Sequence, residues 1–321
     1  MAIDKKFIDQ FINVTSKAAI ASSYFVGKKD KIAADKAAVD SMRSELNNMD
    51  IKGQIVIGEG ELDEAPMLYI GEKLGTNKGP EFDIAVDPLE GTNFAANNLP
   101  GALSVIAIAE KNNLFKAPET YMEKISTKVK EKNVIDLDYS VKKNIFNLSE
   151  YLNKKPEDLT ACILERPRHD KIIAELRDLK VKIKFISDGD VSGALLVTDE
   201  KYSVDIFLGT GGGPEGVLAA AALDAFNCGF QGRFIFETDK DKKRAKEMGI
   251  TDLKKKYDLN EIIKGDSIFC ATGITTGDMV SGIKTEKDKF ISETLVTHKH
   301  SKLKKVVKLN LYLMEMYLEH Y

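Results

Sequence analysis

Strand-like and helix-like segments alternate regularly through the second half of the chain. Strands are predicted at 161–164, 181–186, 204–208 and 233–237, and helices at 170–179, 191–197 and 214–226. This order is typical of βαβ units and predicts an α/β fold with a largely parallel sheet covered by helices. In open α/β sheets, ligands bind at the carboxyl ends of the strands. The strand-to-helix junctions are therefore the first places to look for a site, and they are residues 165–170, 187–190 and 209–216.

The first half of the chain begins with two amphipathic helices. Apolar residues recur at steps of three and four from Phe7 to Phe25, and again from Val39 to Met49. Asp35 is expected in the first turn of the second helix, where a carboxylate complements the helix dipole. A role in starting the helix is therefore one explanation of Asp35, and binding a metal ion is the other.

Further strands are predicted on both sides of the βαβ region. In the first half they are 53–58, 82–86 and 103–109, with 134–141 as an alternating edge strand. Near the end of the chain they are 268–272, 294–297 and 306–313, the last two as a hairpin. We place an N-terminal α+β part at 1–155 and a C-terminal α/β part at 156–321, and the last strands could return to the first part.

The stretch 82–92 combines a buried strand with a group of polar residues. The strand is expected to end near Pro88, which cannot donate to a ladder, so that Asp87 occupies its last rung. Glu90 follows on the turn, with Gly91 and Thr92 beside it. Two carboxylates, a glycine and a hydroxyl suit a hard cation and the phosphate it binds. An ordinary polar turn remains the alternative.

A second acidic segment, 58–66, also follows a strand and contains Glu59. Such a segment is usually a solvated loop. Its position favours a different interpretation, because two acid-tipped strands can bring their carboxylates to one point of a sheet edge. A bound cation would relieve the repulsion between them.

The glycine-rich run 209–214 does not match a nucleotide-binding motif. Pro214 stands at the final glycine of G-x-G-x-x-G, and no Gly-Lys-Ser/Thr follows. The glycines could let backbone amides approach an oxyanion, with Glu215 reaching in at the helix start, or could form a flexible turn.

Charged pairs occupy the other two junctions. Arg166 and Arg168 flank Pro167 on a stiffened extended segment, and could hold a phosphate or a sugar hydroxyl, or form a solvated turn. Asp188 and Asp190 could bind sugar hydroxyls or cap the next helix.

Composition limits the partners and the metal. Of 321 residues, 43% are hydrophobic and 30% charged, and the net charge of −3 gives no field that recruits nucleic acid or an acidic membrane. Three scattered cysteines, no signal peptide and no apolar run of about 18 residues predict a cytoplasmic protein. The candidate metal ligands are all carboxylates, which favours Mg²⁺ or Mn²⁺ over Zn²⁺. They are Asp35, Glu59, Asp87, Glu90 and Glu215.

Several motifs resemble those of class II fructose-1,6-bisphosphatase, a family of the lithium-sensitive sugar phosphatase superfamily. They are residues 56–61, 63–73, 87–92, 121–124, 167–170 and 188–190. The resemblance covers nearly the whole chain. It implies a layered αβαβα sugar-phosphatase fold and the metal-dependent hydrolysis of fructose 1,6-bisphosphate to fructose 6-phosphate and phosphate, a reaction of gluconeogenesis.

The resemblance also assigns roles to residues. It implies metal ligation by the five carboxylates named above, and catalytic roles for Thr92, Asp35 and Glu59, Thr92 helping to orient the attacking water. The implied substrate contacts are Glu90, Gly91, Thr92, Tyr121, Arg166, Pro167, Arg168, Asp188, Gly189, Asp190 and Gly212. Three residues depart from the family pattern: Arg166 replaces a common lysine, Ser187 a usual proline and Gly213 a usual alanine.

Two alternatives stay open from the sequence. One is a dual phosphatase that also cleaves sedoheptulose 1,7-bisphosphate, and the other is a catalytically idle regulator that binds metal or sugar phosphate. We expect a homo-oligomer, a dimer or a tetramer, with a sugar bisphosphate as its small-molecule partner and no nucleic-acid or membrane partner.

Overall fold

A computed structural model of the protein describes residues 2–58 and 67–312. Its helices are α1 (Lys6–Ser23), α2 (Lys31–Asn47), α3 (Thr92–Ala96), α4 (Val141–Leu152), α5 (Asp170–Asp178), α6 (Asp190–Leu195), α7 (Gly213–Phe226), α8 (Asp239–Glu247) and α9 (Leu259–Ile262). Its strands are β1 (Lys52–Ile57), β2 (Lys73–Leu74), β3 (Glu81–Glu90), β4 (Leu103–Glu110), β5 (Tyr121–Thr127), β6 (Thr160–Leu164), β7 (Lys182–Ile186), β8 (Ile206–Gly212), β9 (Gly229–Ile235), β10 (Tyr257–Asp258), β11 (Ser267–Gly273), β12 (Lys284–Glu286), β13 (Lys289–His298) and β14 (Leu303–Tyr312). The fold is mixed α/β with two sheets. Within these described ranges, no helix is both long and apolar enough to cross a membrane.

The chain forms two compact units. One combines the chain up to Leu114 with the chain from Gly265 onward, and the other is Phe115–Lys264. The boundary that the sequence places at residue 155 lies inside the second unit. The strands β11 to β14 belong to the first unit, because β11 pairs with β4 along its whole length.

The first unit is a mostly antiparallel sheet with two long helices. Its strand order is β12-β13-β11-β4-β3-β1-β2, with β14 beside β13, and among the strands in its described residues only β1 and β3 run parallel. The predicted hairpin of the last two strands is confirmed as β13 and β14. The apolar faces of α1 and α2, including Phe11 and Met42, are buried with Ile84 and Ile106 of the sheet in one core.

The second unit has a mixed sheet of order β10-β9-β5-β8-β6-β7. Only β8, β6 and β7 are parallel, and β5 pairs antiparallel with both β8 and β9. The prediction of a largely parallel sheet is therefore wrong for half of this sheet. The prediction missed β5, which enters the sheet centre from outside the βαβ region. The carboxyl ends of β6, β7 and β8 do lie at one edge, as expected.

One further local prediction in this unit is wrong, and one of two alternatives is excluded. Residues 134–141 form no strand; Val134 and Ile135 instead pack into the core of the unit beside Ile145 and Leu148. The flexible turn is excluded, because residues 209–212, three of them glycines, form the last part of β8 and pair residue by residue with β5. The absence of side chains there leaves room for groups packed against the strand.

Candidate active site

In the first unit, β3 delivers two carboxylates through a bulge. The pairing of β3 with β4 shifts register between Asp87 and Glu90, so Pro88, which has no N–H to donate, is accommodated inside the strand. The predicted end of the strand near Pro88 is thus wrong, because β3 continues to Glu90. Glu90 is buried, and carboxylate oxygens of Asp87 and Glu90 lie within 4.8 Å of each other. Two acids this close favour a shared cation.

Gly91 and Thr92 turn the chain directly after these acids. Gly91 has φ +77°, and a Cβ there would lie 2.8 Å from the Phe94 ring, so the turn into α3 requires glycine. Thr92 is the first residue of α3, and its hydroxyl donates to the Leu89 carbonyl over 3.3 Å. A hydroxyl that donates a hydrogen bond keeps its oxygen lone pairs as acceptors. The Thr92 oxygen can therefore accept a hydrogen bond from a nearby water.

Asp35 lies in the interior of α2 and does not start it. The helix begins at Lys31, and the Asp30 carboxylate caps it by accepting from the Ala33 N–H over 2.9 Å. The interpretation of Asp35 as a helix-start residue is therefore wrong. Burial raises the pKa of the Asp35 carboxyl above its ordinary value. A nearby cation would favour its charged form. The fifth predicted ligand, Glu59, lies with the acidic segment outside the described residues.

In the second unit, Glu215 lies in the first turn of α7; the residue is partly buried, and its carboxylate oxygen Oε2 is fully buried. Burial raises its pKa; the Asp190 charge acts in the same direction and the Lys124 charge opposes it. Its Oε2 has no hydrogen-bond partner within the described part of the chain. A Cβ on Gly212 would lie 1.8 Å from that oxygen, so the β8 backbone leaves space that the carboxylate occupies. Such an oxygen suits a hard cation.

Lys124 is a site residue that the sequence analysis missed. Its side chain is 1% exposed, and its ammonium group forms an ion pair with Asp190 and donates to the Gly212 carbonyl over 2.7 Å. Strand periodicity could have identified it, because Lys124 lies two residues after the buried Met122 on β5, and side chains two residues apart lie on the same face of a strand. Asp190 begins α6 without capping it, since the N-cap is Gly189 and the cap makes no side-chain hydrogen bond. The helix-cap explanation is therefore wrong for Asp190.

Arg168 and Tyr121 meet at the carboxyl end of β6 and the start of β5. The Arg168 guanidinium lies 5.0 Å from the centroid of the Tyr121 ring, which is 45% exposed. Arg166 donates to the Glu165 carbonyl over 3.0 Å. Pro167 begins a single 3₁₀ turn, Pro167–His169, so the expected extended segment is limited to Arg166. An exposed ring beside a fixed guanidinium can bind a sugar phosphate.

The β7–α6 junction places the remaining predicted substrate contacts. Gly189 adopts φ +75°, and the Asp188 carboxylate accepts from the Gly189 N–H over 3.1 Å. Asp188 is only partly buried, whereas Asp190 is held by Lys124. Asp188 is therefore the more accessible of the two acids to a hydroxylated ligand.

The chain resembles known proteins over nearly its whole length. The family model described as bacterial fructose-1,6-bisphosphatase, glpX-encoded, matches residues 5–310. The chain is 41% identical to a Prochlorococcus marinus (strain MIT 9515) protein named D-fructose 1,6-bisphosphatase class 2/sedoheptulose 1,7-bisphosphatase, and the match covers 92% of each chain. The Thermosynechococcus vestitus protein of that name is 39% identical, covering 93% of each chain. The solved structure of the extragenic suppressor suhB from Bartonella henselae aligns at 12% identity and a TM-score of 0.33, over 70% of this chain and 74% of that one. The extent and identity of the sequence matches place the chain in the family of bacterial, glpX-encoded fructose-1,6-bisphosphatases.

Proposed function

We propose that the protein hydrolyses fructose 1,6-bisphosphate to fructose 6-phosphate and phosphate with the help of Mg²⁺ or Mn²⁺. The observation that supports this most is the family match over residues 5–310. The chemistry of the chain agrees with it, because the acids at its strand and helix ends are of the kind that binds hard divalent ions.

The proposed metal ligands are Asp35, Glu59, Asp87, Glu90 and Glu215. The donors described above fit such ions: the oxygens of Asp87 and Glu90 lie within 4.8 Å, and Glu215 Oε2 is buried without a hydrogen-bond partner in the described chain. When bound, such ions activate water and neutralise the phosphoryl oxygens.

The other roles belong to side chains of this protein. Thr92, whose hydroxyl donates a hydrogen bond to the Leu89 carbonyl, accepts a hydrogen bond from the attacking water and so orients it, with help from Asp35 and Glu59. Arg168 and Tyr121 bind the sugar phosphate, and Arg166 supplies a second positive charge. Asp188 to Asp190 bind sugar hydroxyls, and the Gly212 backbone lets the substrate approach.

The direct test is phosphate release from a panel of sugar phosphates with Mn²⁺, with Mg²⁺ and with excess EDTA. We expect turnover of fructose 1,6-bisphosphate that needs a divalent ion. The Glu90→Gln variant should lose about a hundredfold to a thousandfold in kcat, as for loss of one oxyanion donor. Glu81→Gln, an exposed acid at the other end of β3, is the matched control and should keep full activity. A wild-type protein without turnover of any sugar bisphosphate would refute the proposal.

A second candidate is dual activity on sedoheptulose 1,7-bisphosphate. It is favoured because the similar cyanobacterial proteins are named for both reactions. The ratio of kcat/KM for the two substrates decides between a dual phosphatase and one specific for fructose 1,6-bisphosphate. Metal-dependent binding of fructose 1,6-bisphosphate without turnover would instead favour the idle regulator.

We also propose that the protein works in the cytoplasm as a dimer or tetramer. Sedimentation velocity of the purified protein measures the oligomeric state, and cell fractionation tests the location. A monomer at micromolar concentration would contradict the first proposal, and recovery in the membrane fraction would contradict the second.

A further inference from the structure

His169 is fully buried in the second unit and makes a hydrogen bond with each ring nitrogen. Its Nδ1 lies 2.7 Å from the Leu164 carbonyl oxygen, and its Nε2 lies 2.8 Å from the Thr210 backbone nitrogen. A carbonyl can only accept and a backbone N–H can only donate. Nδ1 therefore carries the proton and Nε2 accepts, which makes His169 the neutral Nδ1–H tautomer.

Thr210 needs these partners because the neighbouring strand has stopped. On one side, β8 pairs with β5 up to Gly212, but on the other its pairing with β6 covers only Ile206 and Phe207. Backbone groups of Thr210 on that side must find partners outside the sheet. The N–H donates to His169, and the carbonyl accepts two bonds from Arg168, from Nε over 2.9 Å and from Nη2 over 2.8 Å.

The backbone of β8 is also shaped to receive the imidazole. Gly209 has φ +149°, a conformation that L side chains rarely adopt, and a Cβ there would lie 3.1 Å from His169 Cε1 and Nε2. The glycine thus allows the strand to approach the ring closely. His169, Thr210 and Arg168 form one connected unit, which ends at the exposed Tyr121 ring beneath the guanidinium.

We propose that His169 is a positioning residue for sugar-phosphate binding. It holds the Thr210 backbone so that the Thr210 carbonyl fixes the Arg168 guanidinium over Tyr121, ready for the anionic substrate. This inference rests on the proposed function in one respect, the assignment of Arg168 as a substrate contact. His169 touches no substrate atom in this role and acts only through Arg168.

Two variants separate the two hydrogen bonds of the ring. His169→Gln places an acceptor near the Nε2 position and keeps the bond from Thr210, whereas His169→Asn keeps only the donor to Leu164. For fructose 1,6-bisphosphate we expect His169→Asn to raise KM about tenfold, the effect of roughly one net hydrogen bond, with kcat nearly unchanged. His169→Gln should rescue most of that loss. His300→Asn, at an exposed histidine of the first unit, is the control and should match the wild type.

A double-variant cycle distinguishes positioning from a merely structural role. In an Arg168→Ala background, His169→Asn should no longer change KM, because the group through which it acts is gone. An undiminished KM effect in that background would overturn the proposal, and so would a wild-type KM for His169→Asn.

A spectroscopic readout does not depend on turnover. The chain has four histidines, so ¹⁵N spectra of the ring nitrogens can be assigned with the His169→Gln variant. We expect the neutral Nδ1–H tautomer for His169, and a protonated Nε2 would overturn the proposal. If the wild type hydrolyses nothing, the Kd for fructose 1,6-bisphosphate from calorimetric titration replaces KM. Binding to His169→Asn that is tenfold weaker than to the wild type then supports positioning, although the proposed activity fails. Equal binding to both proteins, or no binding to the wild type, overturns positioning as well.

Discussion

Single residues of the second unit show how buried charge is balanced inside the protein. The side chains of Lys124 and Asp190 are 1% and 6% exposed and form an ion pair. The Glu215 carboxylate interacts electrostatically with both of them. A buried pair is weak support for stability as a whole, but removal of one member leaves the other without compensation. The site therefore depends on Lys124 even before any ligand binds.

We expect Lys124→Met to lower the free energy of unfolding by about 3 kcal/mol in EDTA, because Asp190 is left buried without its cation. Urea unfolding followed by circular dichroism measures the change. Lys128→Met, which removes an ion pair with the exposed Glu200 just beyond the same strand, should have little effect. Equal effects of the two variants would contradict this account of Lys124.

His169 gives the protein a pH-dependent contribution to stability. Burial lowers its pKa in the folded state, and the positive charge of Arg168 acts in the same direction. The unfolded chain, with an ordinary pKa of about 6.5, then binds the proton more readily. The contribution is full above that pH and is lost as the pH falls through the lower folded pKa. The urea midpoint should drop from pH 7.5 to 5.5, and less so in His169→Gln. An identical drop in both proteins would be evidence against a depressed folded pKa.

At the scale of elements, α1 is joined to the first sheet by buried hydroxyl groups as well as by apolar packing. Thr272 Oγ1 of β11 donates to Thr15 Oγ1 of α1 over 2.7 Å and lies 2.7 Å from Thr294 Oγ1 of β13. Ser292 Oγ donates to Ser16 Oγ over 3.0 Å. These bonds join one helix to two strands, and they satisfy polar groups that the helix buries on its sheet-facing side.

We expect Thr272→Val to destabilise the protein by about 1–3 kcal/mol, because it removes two buried hydrogen bonds between hydroxyl groups while keeping the side-chain shape. Thr297→Val is a matched control. Thr297 is just as buried on β13, but its Oγ1 has no hydrogen-bond partner among the described residues. Its replacement should be neutral or stabilising. Thermal unfolding of both variants provides the comparison, and a larger loss at Thr297 would be inconsistent with the network.

At the scale of the whole molecule, the proposed metal ligands come from widely separated parts of the chain. Asp35 lies on α2, Asp87 and Glu90 on β3, and Glu215 on α7. The folded chain fixes carboxylate oxygens of Asp87 and Glu90 within 4.8 Å of each other, which an unfolded chain does not, so divalent ions should bind the folded state selectively. Ions that bind only the folded state stabilise it by mass action.

We expect Mn²⁺ at a hundred times its Kd to add about 2.7 kcal/mol to the free energy of unfolding. Glu90→Gln should lose most of this gain, and Glu81→Gln should keep it. Differential scanning calorimetry with Mn²⁺ and with EDTA measures the shift. An unfolding temperature that neither Mn²⁺ nor Mg²⁺ changes would contradict the proposed ligand set.

Local patterns in the sequence were sufficient for most elements and for the candidate residues. The apolar periodicity predicts α1, and the short apolar runs predict β1, β4 and β6, because both depend on near neighbours in the chain. The acidic and basic residues at strand ends could be singled out for the same reason, and the resemblance of the motifs to a known family indicated phosphate-ester hydrolysis.

The tertiary structure decided what depends on distant pairing. The bulge that carries β3 through Pro88, the entry of β5 into the second sheet and the continuation of β8 through its glycines all require a partner strand. The burial of Lys124 and the contacts of His169 follow from those pairings. Residues far apart in the chain share a register only after the sheet has formed, so no local pattern contains this information.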